Sequence, residues 1–249
     1  MQLKAAINKM AKEKHIPAQL VMQNYMLERL LERIAHSRYQ GNFILKGGLL
    51  IASMVGLHSR ATMDMDATIR NHPVNENSIK KMFEEIVTIP INDDITFSFQ
   101  DVGEIRKNDA YGGYRISLTA NFLPMKVPLK LDITTGDKIT PKAVEYKYPM
   151  MFNDGTLEIF AYNLETILAV GDCNFQWRSK YTAKRLLRYL YPEQAEGRSD
   201  QLDNFASGGI RNCTKAQFRY ANAAVSEYFG ADYKQPYDAS ALENVSARL

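Results

Sequence analysis

Asp64 and Asp66 stand two apart in Ala61-Thr62-Met63-Asp64-Met65-Asp66-Ala67-Thr68-Ile69, an alternating run that reads as a β-strand. Side chains two apart in a strand leave the same face of the sheet. Two carboxylates held that close repel unless a cation lies between them, and hard divalent ions such as Mg²⁺ favour oxygen ligands of this kind. A further acid completes a two-metal site, whose ions sit ~3.5–4 Å apart. Asp132, in Lys130-Leu131-Asp132-Ile133-Thr134-Thr135-Gly136, supplies one within an otherwise apolar alternating run, where an unpaired carboxylate is unfavourable to bury. Gly47-Gly48 ends the short apolar run Phe43-Ile44-Leu45-Lys46, so backbone N–H groups can meet a phosphate there. Arg60 and Thr62 flank the acids and can contact a triphosphate, while Lys130 shares the face of Asp132 and can pair with it or with phosphate. Singly these features are ordinary: a tight turn, solvent-facing strand acids, a solvated arginine. Together they resemble a phosphate-transferring metal site.

Holding those residues in place takes helices and a sheet. Leu20, Leu27, Leu30, Leu31 and Ile34 recur at helical spacing with Glu28, Arg29, Glu32 and Arg33 between them. That pattern predicts an amphipathic helix with one face buried, a scaffolding element. A short buried helix follows over 49–57, and another over 77–87, capped by Asn77 or Ser78. Strand signals then dominate, at 95–99, 113–122, 127–133, 144–148 and 157–161, separated by Gly, Asp, Asn and Pro. Asn163 caps a further helix over 164–169. The order of helices, strands and helix predicts an α+β domain, a mixed sheet flanked by helices. Composition agrees with a soluble globular chain: of 249 residues, 45% are hydrophobic and 24% charged, which sets aside collagen-like and disordered readings. The net charge of +3 is too small to argue for a nucleic-acid partner. No apolar run approaches the ~18–20 residues of a membrane span. The start, Met1-Gln2-Leu3-Lys4-Ala5, lacks a secretion signal, so a cytoplasmic protein with no membrane partner is expected. The two cysteines, Cys173 and Cys213, make no metal pattern.

Gly47-Gly48 followed by Arg60-x-Thr62-x-Asp64-x-Asp66 resembles the first motif of the polymerase-beta-type nucleotidyltransferases, and more closely that of their AbiEii/AbiGii toxin branch. The Arg-to-Thr spacing is one residue shorter than that branch's usual pattern. Lys130-Leu131-Asp132-Ile133-Thr134-Thr135-Gly136 is similar to the second motif, Lys-x-Asp-apolar-x-x-Gly, and Leu164-Glu165-Thr166-Ile167-Leu168-Ala169 to the start of the third. The likeness covers residues 1–169. It implies a nucleotidyltransferase-type fold with a C-terminal helical region, and a toxin role in bacterial abortive-infection or toxin–antitoxin systems. It further implies that Asp64, Asp66 and Asp132 hold Mg²⁺ and carry catalysis. Gly47 and Gly48 would approach the phosphates of an NTP, with Arg60, Thr62 and Lys130 supporting nucleotide binding. The implied partners are an NTP, an acceptor such as tRNA, and a cognate antitoxin. A small-molecule or protein adenylyltransferase, and a non-catalytic remnant that binds nucleotide or antitoxin, are the alternatives.

The resemblance breaks after Ala169. The third motif should continue to a Lys, and the fourth should carry two acids, as in Arg-Asp-Phe-Tyr-Asp; neither occurs. Codons exist for Lys184-Arg185-Leu186-Leu187-Arg188-Tyr189-Leu190-Tyr191-Pro192 that, read one nucleotide later, translate as Arg-Asp-Phe-Tyr-Asp-Ile-Tyr-Ile. With codons chosen likewise, the same shift can turn the residues after 169 and those of 241–248 into helix-like sequence. A catalytic domain over 1–169 followed by an out-of-frame, poorly ordered region over 170–249 is therefore expected, with impaired activity. The rival is a divergent C-terminal domain.

Overall fold

The computed structural model describes residues 3–55, 57, 62–105, 112–139, 142–163 and 166–167. Seven strands form one sheet: β1 (Phe43–Lys46), β2 (Asp64–Ile69), β3 (Thr96–Ile105), β4 (Gly113–Phe122), β5 (Met125–Thr135), β6 (Val144–Pro149) and β7 (Thr156–Ala161). Apolar residues at alternate positions turn one face of the strands inward, so Leu45, Met65, Ala67, Ile116, Leu118, Leu129, Leu131 and Ile133 are all buried. The strand order is β3-β4-β5-β2-β1-β7-β6. Pairs β2–β5 and β1–β7 are parallel and the others antiparallel, a mixed sheet of the expected α+β type.

Among the described residues four α-helices accompany the sheet: α1 (Leu3–Lys14), α2 (Ala18–Ala35), α3 (Gly47–Val55) and α4 (Glu76–Ile86). On α4, Ile79, Met82, Phe83 and Ile86 recur at helical spacing and all are buried, with the Phe83 ring meeting Phe43 edge-on at 6.0 Å. Its cap is Asn75 rather than Asn77 or Ser78. Asn75 Oδ1 accepts from the Ser78 N–H at 2.9 Å, and Ser78 Oγ accepts from the Asn75 N–H at 3.1 Å. This reciprocal box satisfies two orphan donors at once, which neither rival position achieves.

Helix α2 departs further from its sequence pattern. Glu28 is 1% exposed and Arg33 2%, and Arg29 is buried as well. The helix packs on α1, β5 and β7, so more than one of its faces is covered. Each buried charge has its partner. Arg33 makes a bidentate pair with Asp93 at 2.8 and 2.9 Å and donates to the Ile95 carbonyl at 2.7 Å. Glu28 accepts from Arg29 at 2.8 Å and from the Met151 N–H at 2.7 Å. Strand β3 also runs on to Ile105, because its pairing with β4 resumes past an irregularity between Phe99 and Asp101.

All seven strands and four helices lie in one of two compact units, Met1–Lys138 with Val144–Ala161; the other takes Ile139–Ala143 and Tyr162–Leu249. In that second unit Asn163 caps helical residues as expected, its Oδ1 accepting from the Thr166 N–H at 2.8 Å. The proposed out-of-frame region, 170–249, lies outside the described residues.

Candidate active site

Strand register assembles the site. Lys46 lies opposite Asp66, Asp66 opposite Asp132, and Asp132 opposite Arg115, so one row of side chains crosses β1, β2, β5 and β4. Their neighbours Leu45, Ala67, Leu131 and Ile116 face the core, which leaves this row on the other side of the sheet. Asp64 shares that face two residues before Asp66, beside its register partner Lys130. The charge sequence across the sheet is plus, minus, minus, plus. Arg115 grips Asp132 in a fork, Nε to Oδ1 and Nη2 to Oδ2 each at 2.7 Å. After β5, Gly136 turns the chain at φ +78 and brings in Asp137, whose Oδ2 accepts from Lys46, Thr68 and Thr134.

Gly47 and Gly48 are packed directly against this row. Gly47 has φ +68, and a Cβ there would lie 2.2 Å from Asp66 Oδ2; at Gly48 a Cβ would lie 2.7 Å from Thr62 Oγ1. No side chain larger than hydrogen fits between the β1–α3 turn and the acids. Burial raises the pKa of Asp66 above the usual carboxylate range, and the negative charges of Asp132 and Asp64 push the same way. The Lys46 ammonium and the Gly48 N–H, which donates to this carboxylate, oppose that rise. Two amides of α2 hold the entrance of β2: Gln23 donates to the Met63 and Pro128 carbonyls at 3.1 and 2.8 Å, and Asn24 to the Thr62 carbonyl at 2.9 Å. Gln23 thereby ties β2 to β5 just below Asp64 and Lys130.

The donor set suits a hard divalent cation in part. Asp64 and Asp66 present carboxylate oxygens on one face, and burial, with the charges of Asp132 and Asp64, disfavours the ionised form of Asp66. Among the described residues, however, no three acids converge as a ligand group, and Asp132 is engaged by Arg115. A cation at Asp132 therefore competes with Arg115 for its oxygens.

A family model described as the nucleotidyl transferase AbiEii toxin of a Type IV toxin–antitoxin system matches residues 29–170. The chain belongs to the AbiEii family. The AbiEii match spans both carboxylate strands and the glycine pair. Two solved Helicobacter pylori structures are also similar: JHP933 at 12% identity, covering 92% of this chain and 96% of that one, with a TM-score of 0.40. The second, described as a candidate nucleotidyltransferase, is 13% identical over 86% of this chain and 96% of its own, also at 0.40. No curated protein matches the chain.

Of the residues the sequence singles out in this AbiEii chain, Asp64, Asp66, Asp132 and Lys130 share the polar face of β2 and β5, with Gly47, Gly48 and Thr62 packed against them. Arg60 lies outside the described residues. Lys46, Arg115, Asp137, Gln23 and Asn24 are members that motif spacing does not single out. Lys46 directly precedes the glycine pair, a visible signal. Arg115 is visible only as the polar half of an alternating strand, and its role depends on a register that no local pattern encodes.

Proposed function

We propose that this AbiEii-family protein transfers a nucleotidyl group from an NTP to an acceptor hydroxyl, with Mg²⁺ held by Asp64, Asp66 and Asp132. The observation that carries this reading is the in-register row Lys46–Asp66–Asp132–Arg115 with the glycine pair seated against Asp66. When bound, the metal supplies charge stabilisation for the phosphoryl oxygens and lowers the pKa of the attacking hydroxyl. The chain's own residues do the rest. The Gly47–Gly48 turn at the start of α3 receives the phosphates; Arg60, Thr62 and Lys130 support them. Lys46 and Arg115, at the two ends of the acidic pair, offset its charge until substrate arrives. The acceptor oxygen bonds to the α-phosphorus as its bond to the β-phosphate oxygen breaks; pyrophosphate leaves and the hydroxyl proton goes to water.

The acceptor in this reading is an RNA such as tRNA, the protein works in the cytoplasm, and a cognate antitoxin restrains it. No described helix is long and apolar enough to cross a membrane. The out-of-frame tail removes a Lys and an acid of the family pattern and so impairs the reaction. Incubating the chain with α-labelled NTPs and panels of tRNA, protein and aminoglycoside acceptors tests the reading: label should enter RNA and be lost in Asp64→Asn and Asp66→Asn. Sequencing the gene tests the tail, since a shifted frame with stop codons or no family motif ends that part of the proposal. The grip of Arg115 on Asp132 favours one second reading, a non-catalytic nucleotide or antitoxin binder, which predicts binding unchanged in Asp64→Ala/Asp66→Ala and no transfer at all.

A further inference from the structure

A groove of about 730 Å³ opens beside Asp64, lined by α1, α2 and the first half of β5. Lys4, Lys126 and Lys130 stand along it, Met22 and Met125 give it apolar wall, and Met63, 50% exposed, lies at its inner end. Its base is built rather than loose, because the buried Gln23 amide bonds both the β2 entrance and β5 beneath it. None of the three lysines makes an ion pair with a described residue.

The groove's position in the sheet gives it a role. Gly47 and Gly48 lie on the β1 side of β2, whereas the groove lies on the β5 side, reaching the acids at Asp64. In phosphoryl and nucleotidyl transfer the attacking and leaving oxygens lie roughly in line, on opposite sides of the phosphorus. With the phosphate chain at the glycine pair, the leaving pyrophosphate departs on the β1 side, and the attacking hydroxyl must come from the β5 side. Lys4 and Lys126, with no ion-pair partner among the described residues, attract a polyanion and repel aminoglycosides or basic peptides. Apolar thioether and Pro128 surfaces beside them suit flat base faces.

We infer that this groove is the acceptor subsite and seats the end of a single-stranded nucleic acid, its phosphates on Lys4 and Lys126 and its terminal hydroxyl at Asp64. This rests on the proposed nucleotidyl transfer and adds to it the path of the acceptor and the residues that select it. The step is the one already given: the seated hydroxyl oxygen bonds to the α-phosphorus, pyrophosphate leaves, and the proton passes to water at the open groove.

The test is fluorescence anisotropy of the full chain with a short fluorescein-labelled single-stranded oligoribonucleotide over a salt series. Lys4→Glu/Lys126→Glu should weaken binding about tenfold and reduce the salt slope by about 1.4, the loss of two phosphate contacts to a single strand. Lys81→Glu/Lys147→Glu, an equal charge change at exposed positions outside the groove, should leave both nearly unchanged. Affinity for a fluorescent ATP should hold within about twofold in the groove variant. The inference is overturned if both variants weaken binding equally, if ATP affinity falls in step, or if a polycationic aminoglycoside binds the groove and the oligonucleotide does not. Groove-dependent binding with no transfer to any acceptor, even when the codons after 169 are read one nucleotide later, would sink the transfer reading and leave only a nucleic-acid groove standing. Transfer to RNA that is indifferent to the groove variant would do the reverse.

Discussion

Gly47→Ala asks whether the glycine pair is shaped by the acid it touches. Two costs add. A non-glycine residue at φ +68 loses roughly 1–2 kcal/mol. A methyl group placed 2.2 Å from Asp66 Oδ2 must displace that carboxylate, an overpacking cost of roughly 1–3 kcal/mol. Restricting the unfolded chain returns roughly 0.4–1 kcal/mol, for a net loss of roughly 1.5–4 kcal/mol. In a chain of this size that lowers the melting temperature by roughly 3–15 °C. The assay is denaturant unfolding of wild type, Gly47→Ala, Asp66→Gly and the double variant, with Gly41→Ala, whose Cβ meets nothing within 4 Å, as control. With the carboxylate gone, the alanine should cost only its backbone part, so the cycle should show a coupling of roughly 1–3 kcal/mol. Asp66→Ala should recover less, because the Asp66 Cβ itself lies 2.8 Å from the new methyl. If Gly47→Ala costs the same with and without Asp66, or no more than Gly41→Ala, the close seating of turn against acid is wrong.

Three further perturbations probe the surrounding structure. Burial raises the Glu28 pKa from 4.5 to about 7, so the stability it contributes is full below 4.5 and lost as pH rises through 7. Glu28→Gln should flatten the stability profile between those values, a change on the order of 3 kcal/mol seen in melts across pH; an unchanged slope refutes the assignment. Arg33→Ala should cost about 3–5 kcal/mol in denaturant unfolding by stranding buried Asp93, and Arg33→Lys should restore only part, lacking the fork that also reaches Ile95. Arg115, 43% exposed at its side chain, can be removed without opening the core. Arg115→Ala should tighten Mg²⁺ binding about tenfold in titration calorimetry, and weaker binding would show that the guanidinium supports the site rather than competing for it.

What local pattern encodes was legible, and what distant pairing encodes was not. β4 spans 113–122 as its alternation predicts, and the shared face of Asp64 and Asp66 follows from period two alone. Helix α2 misled because a charged residue between leucines ordinarily faces water. Arg33 instead finds Asp93, 60 positions away, and Glu28 finds the Met151 N–H, 123 positions away. The α4 cap slipped because Asn75, Asn77 and Ser78 are all capable, and only the reciprocal bond pair selects the first. Arg115 was invisible for a similar reason: an arginine on a strand's polar face becomes part of the site only through the β4–β5 register that sets it opposite Asp132. Lys46 and Asp137 meet only after the Gly136 turn folds the chain back.

The measurement that bears most directly on the account is label transfer to RNA from an NTP carrying ³²P at either the α- or the γ-phosphate. It should be made on this chain and on a variant of its gene read one nucleotide later after codon 169, the frame proposed above. The account predicts incorporation of the α-label alone, strongest in the shifted-frame variant, and none in Asp66→Asn of either form. Incorporation of the γ-label, or undiminished transfer by Asp66→Asn, would contradict it.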